Sequence, residues 1–187
     1  MEKIIPFPGI TANSGGFDQL VRPHMDYLFR LAYRFAGNQS DAEDLVQEVL
    51  IKVYEKRAAF AEIERQRAWL ARVTYNTYVD GYRALNRSPL SRGVGLADDD
   101  EETAGAVLTS AADTQNEATS GLNAEILQQA LDRLDPDHRA LVALHDIEGY
   151  TLGELERLLD CPLGTLKSRL HRARAQLRGH LKKFGTF

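Results

Sequence analysis

The first half of the chain places apolar side chains three and four residues apart, which is the spacing of one face of an α-helix. Residues 18–36 show this pattern first, and Gly37-Asn38 supplies residue types that commonly end a helix. The apolar positions are Leu20, Val21, Leu28, Leu31, Ala32 and Phe35. The pattern therefore predicts one amphipathic helix over 18–36.

Two further helices are predicted in this half. Ser40 and Glu43 have the spacing of a capping box, which predicts a helix over about 40–56. Its apolar stripe consists of Leu45, Val49 and Val53. Residues 58–64 are expected to form a connecting loop, and a third helix is expected over about 67–86.

The second half begins with two more predicted helices. One covers 122–134. Asp135-Pro136 combines a good N-cap with a proline suited to a first helical turn, so a second helix is expected to end near residue 147.

A helix, a tight turn and a long helix are predicted at the end of the chain. Thr151 and Glu154 form a capping box that opens a short helix over 151–159. Residues 160–164 are expected to turn, and Thr165 is expected to cap the terminal helix.

The helical segments fall into two groups. Residues 88–121 contain an acidic run at 98–102 and few large apolar side chains, so burial cannot offset the entropy of ordering them. No segment alternates like a strand over a useful length. We expect an all-α chain with a flexible N-terminal arm over 1–16 and two small helical domains, 17–87 and 122–187, joined by a flexible acidic linker.

Charge is segregated along the chain. The 187 residues carry a formal net charge of −4, which taken whole argues against a polyanionic partner. However, residues 161–187 hold seven bases and no acid, and residues 65–92 hold six arginines and one acid. Solvated helix faces explain many charge runs. A run this long without an acid favours a surface that faces a polyanion.

Several function classes are disfavoured by composition. No apolar run approaches the roughly 20 residues of a membrane span, and the N-terminus does not resemble a signal peptide. The single Cys161 excludes an internal disulfide and a multi-cysteine zinc site. Neither a nucleophile elbow, nor a phosphate-binding glycine loop, nor metal-ligand spacing among the histidines is present. We expect a soluble cytoplasmic protein that is not an enzyme and has no cofactor or metal.

The last two predicted helices match the helix-turn-helix pattern. Apolar residues form one stripe of the terminal helix: Leu166, Leu170, Ala173, Leu177 and Leu181. Polar residues lie off that stripe: Lys167, Ser168, His171, Arg172 and Arg178. Arg and Lys in the first turns of such a helix can reach guanine edges or phosphates in the major groove. An ordinary basic helix in a bundle would show the same pattern.

The 67–86 helix carries aromatic and basic faces side by side. Tyr75, Tyr78 and Tyr82 lie on one face, beside Arg72, Asn76 and Arg83, with Trp69 at the border. Aromatic rings stack on bases and guanidinium groups hold phosphates, which suits single-stranded nucleic acid. Tyrosines packed in a core with hydroxyls at its rim are an equally good interpretation.

The 40–56 helix has an acidic face. Asp44, Gln47 and Glu48 are three and four residues apart and therefore share one side of the helix. Acids near a helix start are also explained by the helix dipole alone.

These three segments together resemble one family. Residues 151–178 resemble region 4.2 of the bacterial extracytoplasmic-function (ECF) sigma factors and read TLGELERLLDCPLGTLKSRLHRARAQLR. Residues 67–87 resemble regions 2.3–2.4 and read RAWLARVTYNTYVDGYRALNR. The run Asp44-Leu-Val-Gln-Glu48 is similar to region 2.2.

The resemblance implies roles in promoter recognition. The terminal helix would read the −35 element as duplex through Thr165, Lys167, Ser168, Arg169, His171, Arg172 and Arg174. The 67–87 helix would melt the −10 element and bind the melted strand through Trp69, Arg72, Asn76, Arg83 and Arg87. Asn76 matches the residue that lines the pocket for a flipped base.

The resemblance also implies partners. Asp44, Gln47 and Glu48 would dock on the β′ clamp coiled coil of the RNA polymerase core, and the core's β flap and an anti-sigma factor are further expected partners. Glu156 departs from the small Ala usual in the family. Asp160 replaces a frequent Gly and is expected to adopt the left-handed conformation.

Two other functions fit parts of the pattern. A conventional helix-turn-helix regulator would not need the 67–87 helix or the acidic face. A sigma-like mimic that sequesters an anti-sigma factor would carry a receiver domain, and the chain shows no strand–helix alternation for one.

Overall fold

The computed structural model describes residues 15–87 and 117–184, with side chains described over 16–84 and 123–184. All regular elements in these ranges are helical. The N-terminal bundle consists of α1 (Gly15–Val21), a 3₁₀ turn (Arg22–His24), α2 (Met25–Ala36), α3 (Gln39–Glu55), α4 (Arg57–Ala61) and α5 (Gln66–Arg87). The C-terminal bundle consists of α6 (Glu117–Leu131), α7 (Pro136–Val142), a π-helical turn (Ala143–Ile147), α8 (Leu152–Leu159) and α9 (Leu163–Lys183).

Some expectations fall outside these ranges. The predicted arm lies outside them up to residue 14, as does the predicted linker over 88–116. No helix within the described ranges is long and apolar enough to cross a membrane.

The first predicted helix is interrupted. Helix α1 ends at Val21, a 3₁₀ turn holds Pro23, and α2 starts at Met25, so the prediction of one helix over 18–36 is wrong. Proline lacks the N–H that a continuous α-helix needs at this point. The predicted end is confirmed: Gly37, with φ of 86°, caps α2 and donates its N–H to the Tyr33 carbonyl.

Helix α3 is capped by a different residue from the one predicted. The side-chain oxygen of Asn38 accepts a hydrogen bond from the Asp41 backbone N–H at 3.0 Å, so the capping box assigned to Ser40 is wrong. Asparagine is as good a cap as serine, and its position one residue before Gln39 lets it satisfy a first-turn donor. The predicted loop over 58–64 is also partly helical, because α4 extends to Ala61. This helix buries the side chain of Phe60.

The C-terminal bundle differs from expectation at its start. Helix α6 begins at Glu117, inside the predicted linker, and ends at Leu131. The helix after Asp135 begins as predicted, but its last turn is π-helical: the Glu148 N–H donates to the Ala143 carbonyl at 2.9 Å.

The predicted helix-turn-helix is present with one correction. The capping box of Thr151 and Glu154 opens α8 as expected, and Asp160 has the expected left-handed conformation with φ of 52°. Helix α9 starts at Leu163, after Pro162. Thr165 therefore lies inside the first turn and does not cap the helix.

The two bundles pack against each other, which the sequence pattern did not predict. Their buried apolar residues form one connected cluster, because α2 and α5 contact α7 and α5 contacts α8. The guanidinium of the buried Arg139 donates across the boundary to the Phe35 carbonyl at 2.7 Å. This hydrogen bond satisfies a carbonyl in the last turn of α2, where helix geometry leaves acceptors without intrahelical partners.

Candidate nucleic-acid and polymerase interfaces

Helix α9 has one buried face and one exposed polar face. Leu166, Leu170, Ala173 and Leu177 are buried and Leu181 is half-buried, which confirms the predicted apolar stripe. Lys167, Ser168, His171 and Arg172 are exposed. These four residues occupy the N-terminal half of the second helix of the helix-turn-helix, which is the part that can enter a major groove.

The start of α9 is held by an acid from α8. The carboxylate of Glu156 accepts a hydrogen bond from the Leu163 backbone N–H at 3.0 Å. Pro162 offers no side-chain acceptor, so Glu156 satisfies a donor that the first turn leaves without an intrahelical partner. In the sequence, Glu156 stands out only as a departure from the family. Its distance of seven residues from Leu163 is too long for a local capping pattern to identify it.

Arginines on the remaining sides of α9 have different surroundings. Arg174 binds Asp146 of the π-helical turn through two hydrogen bonds, the one from Nε measuring 3.0 Å. This bidentate pair raises the pKa of Arg174 and joins α9 to the turn. Arg169 and Thr165 are half-buried. A DNA contact by any of the three stays a prediction, and for Arg174 the structure shows a packing role.

Helix α5 presents part of its predicted strand-binding face to solvent. Arg72 and Asn76 are exposed and four residues apart, so they share one side of the helix. Trp69 is half-buried, and its ring lies 5.3 Å from the ring of Phe60. The side chain of Arg87 lies outside the described residues.

Two of the three tyrosines of α5, Tyr75 and Tyr78, pack against neighbouring side chains, whereas Tyr82 is 40% exposed. The Tyr75 hydroxyl donates to Asp137 at 2.8 Å, and the Tyr78 ring lies 5.3 Å from the Phe35 ring. Burial, then the hydrogen bond to Asp137, raises the pKa of Tyr75, while burial raises the pKa of Tyr78 to about 12. In this arrangement the core interpretation describes both residues better than base stacking does.

Helix α3 carries an exposed acidic face. Asp44, Gln47 and Glu48 are exposed on the side of the helix away from its buried valines. Ile51 is 61% exposed and lies one turn beyond Gln47 and Glu48 on the same side. Ile51 was not predicted as a site residue, because an isolated apolar residue in an amphipathic helix gives no separate signal in the sequence.

Charged side chains also join the two bundles. Glu148 pairs with Arg34 and lies 3.9 Å from Arg67. Glu154 pairs with Arg65, and this hydrogen bond together with those from Thr151 lowers the pKa of Glu154 to about 2.

Two further contacts lie at the same boundary. Arg83 of α5 lies 3.8 Å from Asp137 of α7. The hydroxyls of Tyr27 and Tyr150 share a hydrogen bond of 2.9 Å. Burial, followed by this bond, raises the pKa of Tyr27. For Arg83, the family resemblance implied only a DNA contact.

Comparison with known proteins assigns the family. Residues 20–88 match Sigma-70 region 2, and residues 124–177 match Sigma-70, region 4. The ECF RNA polymerase sigma factor SigM of Mycobacterium tuberculosis is 30% identical over 171 residues, covering 90% of this chain and 78% of SigM. The chain belongs to the ECF sigma factors. Family membership makes it a transcription initiation factor for RNA polymerase.

Other ECF sigma factors align over most of this chain. SigE of Mycolicibacterium smegmatis is 39% identical over 181 residues, which cover 95% of this chain and 66% of SigE, so this chain spans just under two thirds of that relative's length. SigW of Bacillus subtilis is 29% identical over 171 residues, covering 89% of each protein. The alignment thus includes both matched regions and the residues between them.

Solved sigma factor structures share the fold. The sigma factor RpoE in complex with the anti-sigma factor NepR, from Bartonella quintana, superposes with a TM-score of 0.63 at 26% identity, covering 89% of this chain and 96% of RpoE. CnrH in complex with the cytosolic domain of CnrY superposes with a TM-score of 0.56 at 24% identity, covering 92% of this chain and 91% of that one. The second likeness supports the fold alone.

Proposed function

We propose that this sigma factor guides the RNA polymerase core to a subset of promoters, with α9 reading the −35 element as duplex and α5 binding the melted −10 strand. The observation that carries the proposal is the exposed basic face of α9 opposite its buried apolar stripe. A helix held by the domain core on one side and free on the other can enter a major groove without unfolding.

Residues on that face have the chemistry for base and phosphate contacts. Lys167 and His171 are four residues apart, as are Ser168 and Arg172, so two parallel rows of polar groups face outward. Arg and Lys can bind the O6 and N7 atoms of guanine, and each good bidentate contact discriminates by about 1–3 kcal/mol. Arg172 and Lys167 are therefore the residues that we expect to read sequence.

The exposed side of α5 suits a single strand. Arg72 can hold a phosphate, and Asn76 can hydrogen-bond the edge of a base turned out of the stack. Trp69 lies one turn earlier, where its half-buried ring can stack on a neighbouring base. We assign the −10 element to this surface, formed by the 17–87 domain.

The exposed face of α3 suits the polymerase. Asp44, Gln47 and Glu48 offer carboxylate and amide groups to a basic partner, and Ile51 adds an apolar contact at the end of the same face. We assign this face to the β′ clamp coiled coil and the 122–187 domain to the β flap. The sigma factor then positions the polymerase, and the polymerase performs the catalysis. In this proposal the sigma factor has no catalytic residue of its own.

An anti-sigma factor is a further proposed partner. The solved relative RpoE is bound to the anti-sigma factor NepR, and its fold matches this chain over 89% of the residues. Because RNA polymerase and promoter DNA occupy the bacterial cytoplasm, we place the sigma factor there.

The −35 assignment is tested by removing two charges from the exposed face. Lys167→Ala with Arg172→Ala should lower the affinity for duplex promoter DNA and the transcription that depends on the −35 element, by at least tenfold (about 1–3 kcal/mol per lost base contact). Lys182→Ala with Lys183→Ala is the matched control, because it removes the same charge from the exposed end of the same helix. If both pairs weaken binding equally, or if a −35 mutation still harms the first variant fully, α9 does not read the element.

The −10 and polymerase assignments are separated by a second pair of variants. Asn76→Ala should impair transcription from duplex promoters while leaving core binding intact. Glu48→Ala should weaken core binding, whereas Glu55→Ala, an exposed acid at the end of the same helix, should not. Equal loss of core binding in all three variants would contradict both assignments.

A further inference from the structure

A side-chain hydrogen bond joins the turn before α2 to the start of α5. His24 is the last residue of the 3₁₀ turn, and its Nε2 lies 2.9 Å from the Oε1 of Gln66. Gln66 is the first residue of α5, and both side chains are half-buried. Because the two residues are 42 positions apart along the chain, this bond is a tertiary contact that local sequence patterns do not reveal.

The same glutamine bridges the loop that precedes α5, residues 62–65. The Gln66 Nε2 donates to the Phe60 carbonyl at 3.2 Å, and the Ile63 backbone N–H donates to the same oxygen at 3.2 Å. Since the amide nitrogen of Gln66 faces Phe60, the amide oxygen faces His24, and the His24 Nε2 is the donor. The loop is therefore bridged by Gln66, and Gln66 is in turn held by His24.

Ring contacts connect the same residues to Trp69. The Phe60 ring is fully buried, and its centre lies 6.0 Å from that of His24 and 5.3 Å from that of Trp69. Both distances lie in the range over which aromatic rings attract each other. His24 thus contacts the residue on each side of the loop: Gln66 after it, and before it Phe60, whose ring packs on Trp69.

The loop borders the proposed path of the −10 strand. Arg65, its last residue, is followed after four, seven and eleven residues by Trp69, Arg72 and Asn76, which is the spacing of one side of a helix. Stacking on an aromatic ring tolerates every base, so selection among bases needs polar groups beside the ring. Such groups select only when they are held within about 0.5 Å of the productive position. The contacts that fix the loop and the Trp69 ring therefore affect selectivity.

We propose that His24 and Gln66 are positioning residues for the −10 strand, which hold the 62–65 loop and the Trp69 ring in the geometry that selects bases. The inference rests on the proposed function, because it takes the −10 strand as the ligand of α5. Neither residue touches DNA in this proposal. Loss of the hydrogen bond between them should therefore weaken the preference among −10 bases without weakening recognition of the −35 duplex.

The variants remove the hydrogen bond and keep most of the packing. His24→Phe keeps a ring against Phe60 but has no donor for Gln66, whereas His24→Gln supplies an amide N–H at nearly the same distance along the side chain. Gln66→Met removes the bond from the other partner with a side chain of similar length. His138→Phe is the matched control, because His138 lies 3.1 Å from Gln176 in an equivalent histidine–glutamine bond of the C-terminal bundle.

The first measurement is the base preference at each promoter element. Each full-length variant, at a concentration that saturates the polymerase core, transcribes a library of duplex templates whose promoter region is randomised. Sequencing of the transcribed templates gives the enrichment of each base at the −10 and −35 elements. The −35 preference is an internal control, because a general loss of folding would affect both elements together.

The second measurement is the fluorescence of Trp69, the single tryptophan of the chain. Quenching of its emission by acrylamide reports the exposure of the ring in the free protein. We expect stronger quenching in His24→Phe and Gln66→Met than in wild type, and wild-type quenching in His24→Gln and His138→Phe. Equal quenching in all of these proteins overturns the positioning of Trp69.

We expect His24→Phe and Gln66→Met to lower the preference for the favoured base at one or more −10 positions by about three- to tenfold, as for one lost hydrogen bond. The −35 preference should not change, and His24→Gln should recover most of the −10 preference. Combining His24→Phe with Gln66→Met should lose no more than Gln66→Met alone, because both changes remove the same bond.

Three results overturn the proposal: an unchanged −10 preference in both single variants, an equal loss at both elements, or an equal loss at −10 in His138→Phe. Gln66→Met alone decides the matter if His24→Phe fails to fold. Failure of the proposed function is a separate result, since wild type would then show no enrichment at the −10 element. In that case the fluorescence comparison still decides whether His24 and Gln66 position Trp69.

Discussion

The hydrogen bond from Leu163 to Glu156 leads us to expect that Glu156 stabilises α9, which local sequence rules do not predict. Glu156→Ala removes the acceptor 3.0 Å from the Leu163 N–H and also a negative charge at the helix N-terminus. A lost N-cap acceptor costs about 1 kcal/mol, and a charge at a helix end contributes about 0.3–1 kcal/mol. We therefore expect a loss of about 1–2 kcal/mol in the free energy of unfolding.

Urea denaturation followed by circular dichroism measures this loss. With a slope of about 2 kcal/mol per molar urea, the midpoint should fall by roughly 0.5–1 M. Glu156→Gln keeps an acceptor without the charge, so it should lose only the part of the unfolding free energy that the interaction with the helix dipole contributes. Glu125→Ala, an exposed acid on α6, controls for the general effect of replacing Glu by Ala.

The reasoning is refuted if Glu156→Ala loses no more stability than Glu125→Ala. DNA binding adds a second criterion, because removing an acid near the groove-facing side chains should by itself strengthen the binding of a polyanion such as DNA. A weaker affinity for the −35 duplex in Glu156→Ala would therefore show that the start of α9 has moved. If Glu156→Gln loses as much stability as Glu156→Ala, the charge rather than the hydrogen bond stabilises α9.

Three further predictions concern the N-terminal bundle. Asn38→Ala should destabilise the protein by about 1 kcal/mol and Ser40→Ala by much less, measured by urea denaturation, because Asn38 is the cap; the reverse order would restore the capping box. Gly37→Ala should lower the free energy of unfolding by about 1–2 kcal/mol because of its φ of 86°, and by more because the new Cβ would lie 2.8 Å from the Asp132 Cγ. The loss, measured by urea denaturation, should therefore be smaller in an Asp132→Ala background. An unchanged loss would exclude the contact. Burial raises the pKa of Tyr78 to about 12, above the ordinary 10.0, so its contribution to stability is complete below pH 10.0 and is lost as the pH rises through about 12. Urea midpoints across this range should fall less steeply for Tyr78→Phe than for wild type, and identical slopes would contradict the burial.

The starts, ends and buried faces of the helices were predictable where they depend on residues that are close in sequence. The capping box of Thr151 and Glu154, the apolar stripe of α9 and the left-handed Asp160 all depend on contacts within about one or two turns. The error at the start of α3 arose because two local signals competed. Asn38 and Ser40 are both good caps, and the choice between them depends on which backbone N–H groups the tertiary structure leaves unsatisfied.

The candidate sites were predictable as faces of helices. Exposure of Lys167, Arg172 and Asn76 follows from their being off the apolar stripes, because a helix that buries one side must present the other. The bidentate pair of Arg174 with Asp146 was not predictable. Its partners are separated by 28 residues, and a charged side chain carries no mark of which distant acid it will meet.

The helical class, the two groups of helices and the residues that match two sigma factor regions can be read from the sequence, because helical periodicity and motif spacing involve residues that are close along the chain. The three-dimensional fold was needed to show that α2 and α5 pack on α7, that Arg34 pairs with Glu148, and that Tyr75 and Tyr78 are packed rather than open to bases. The physical reason is that these contacts join residues far apart along the chain. Apolar burial and charge pairing depend on distance in space, which periodicity does not encode.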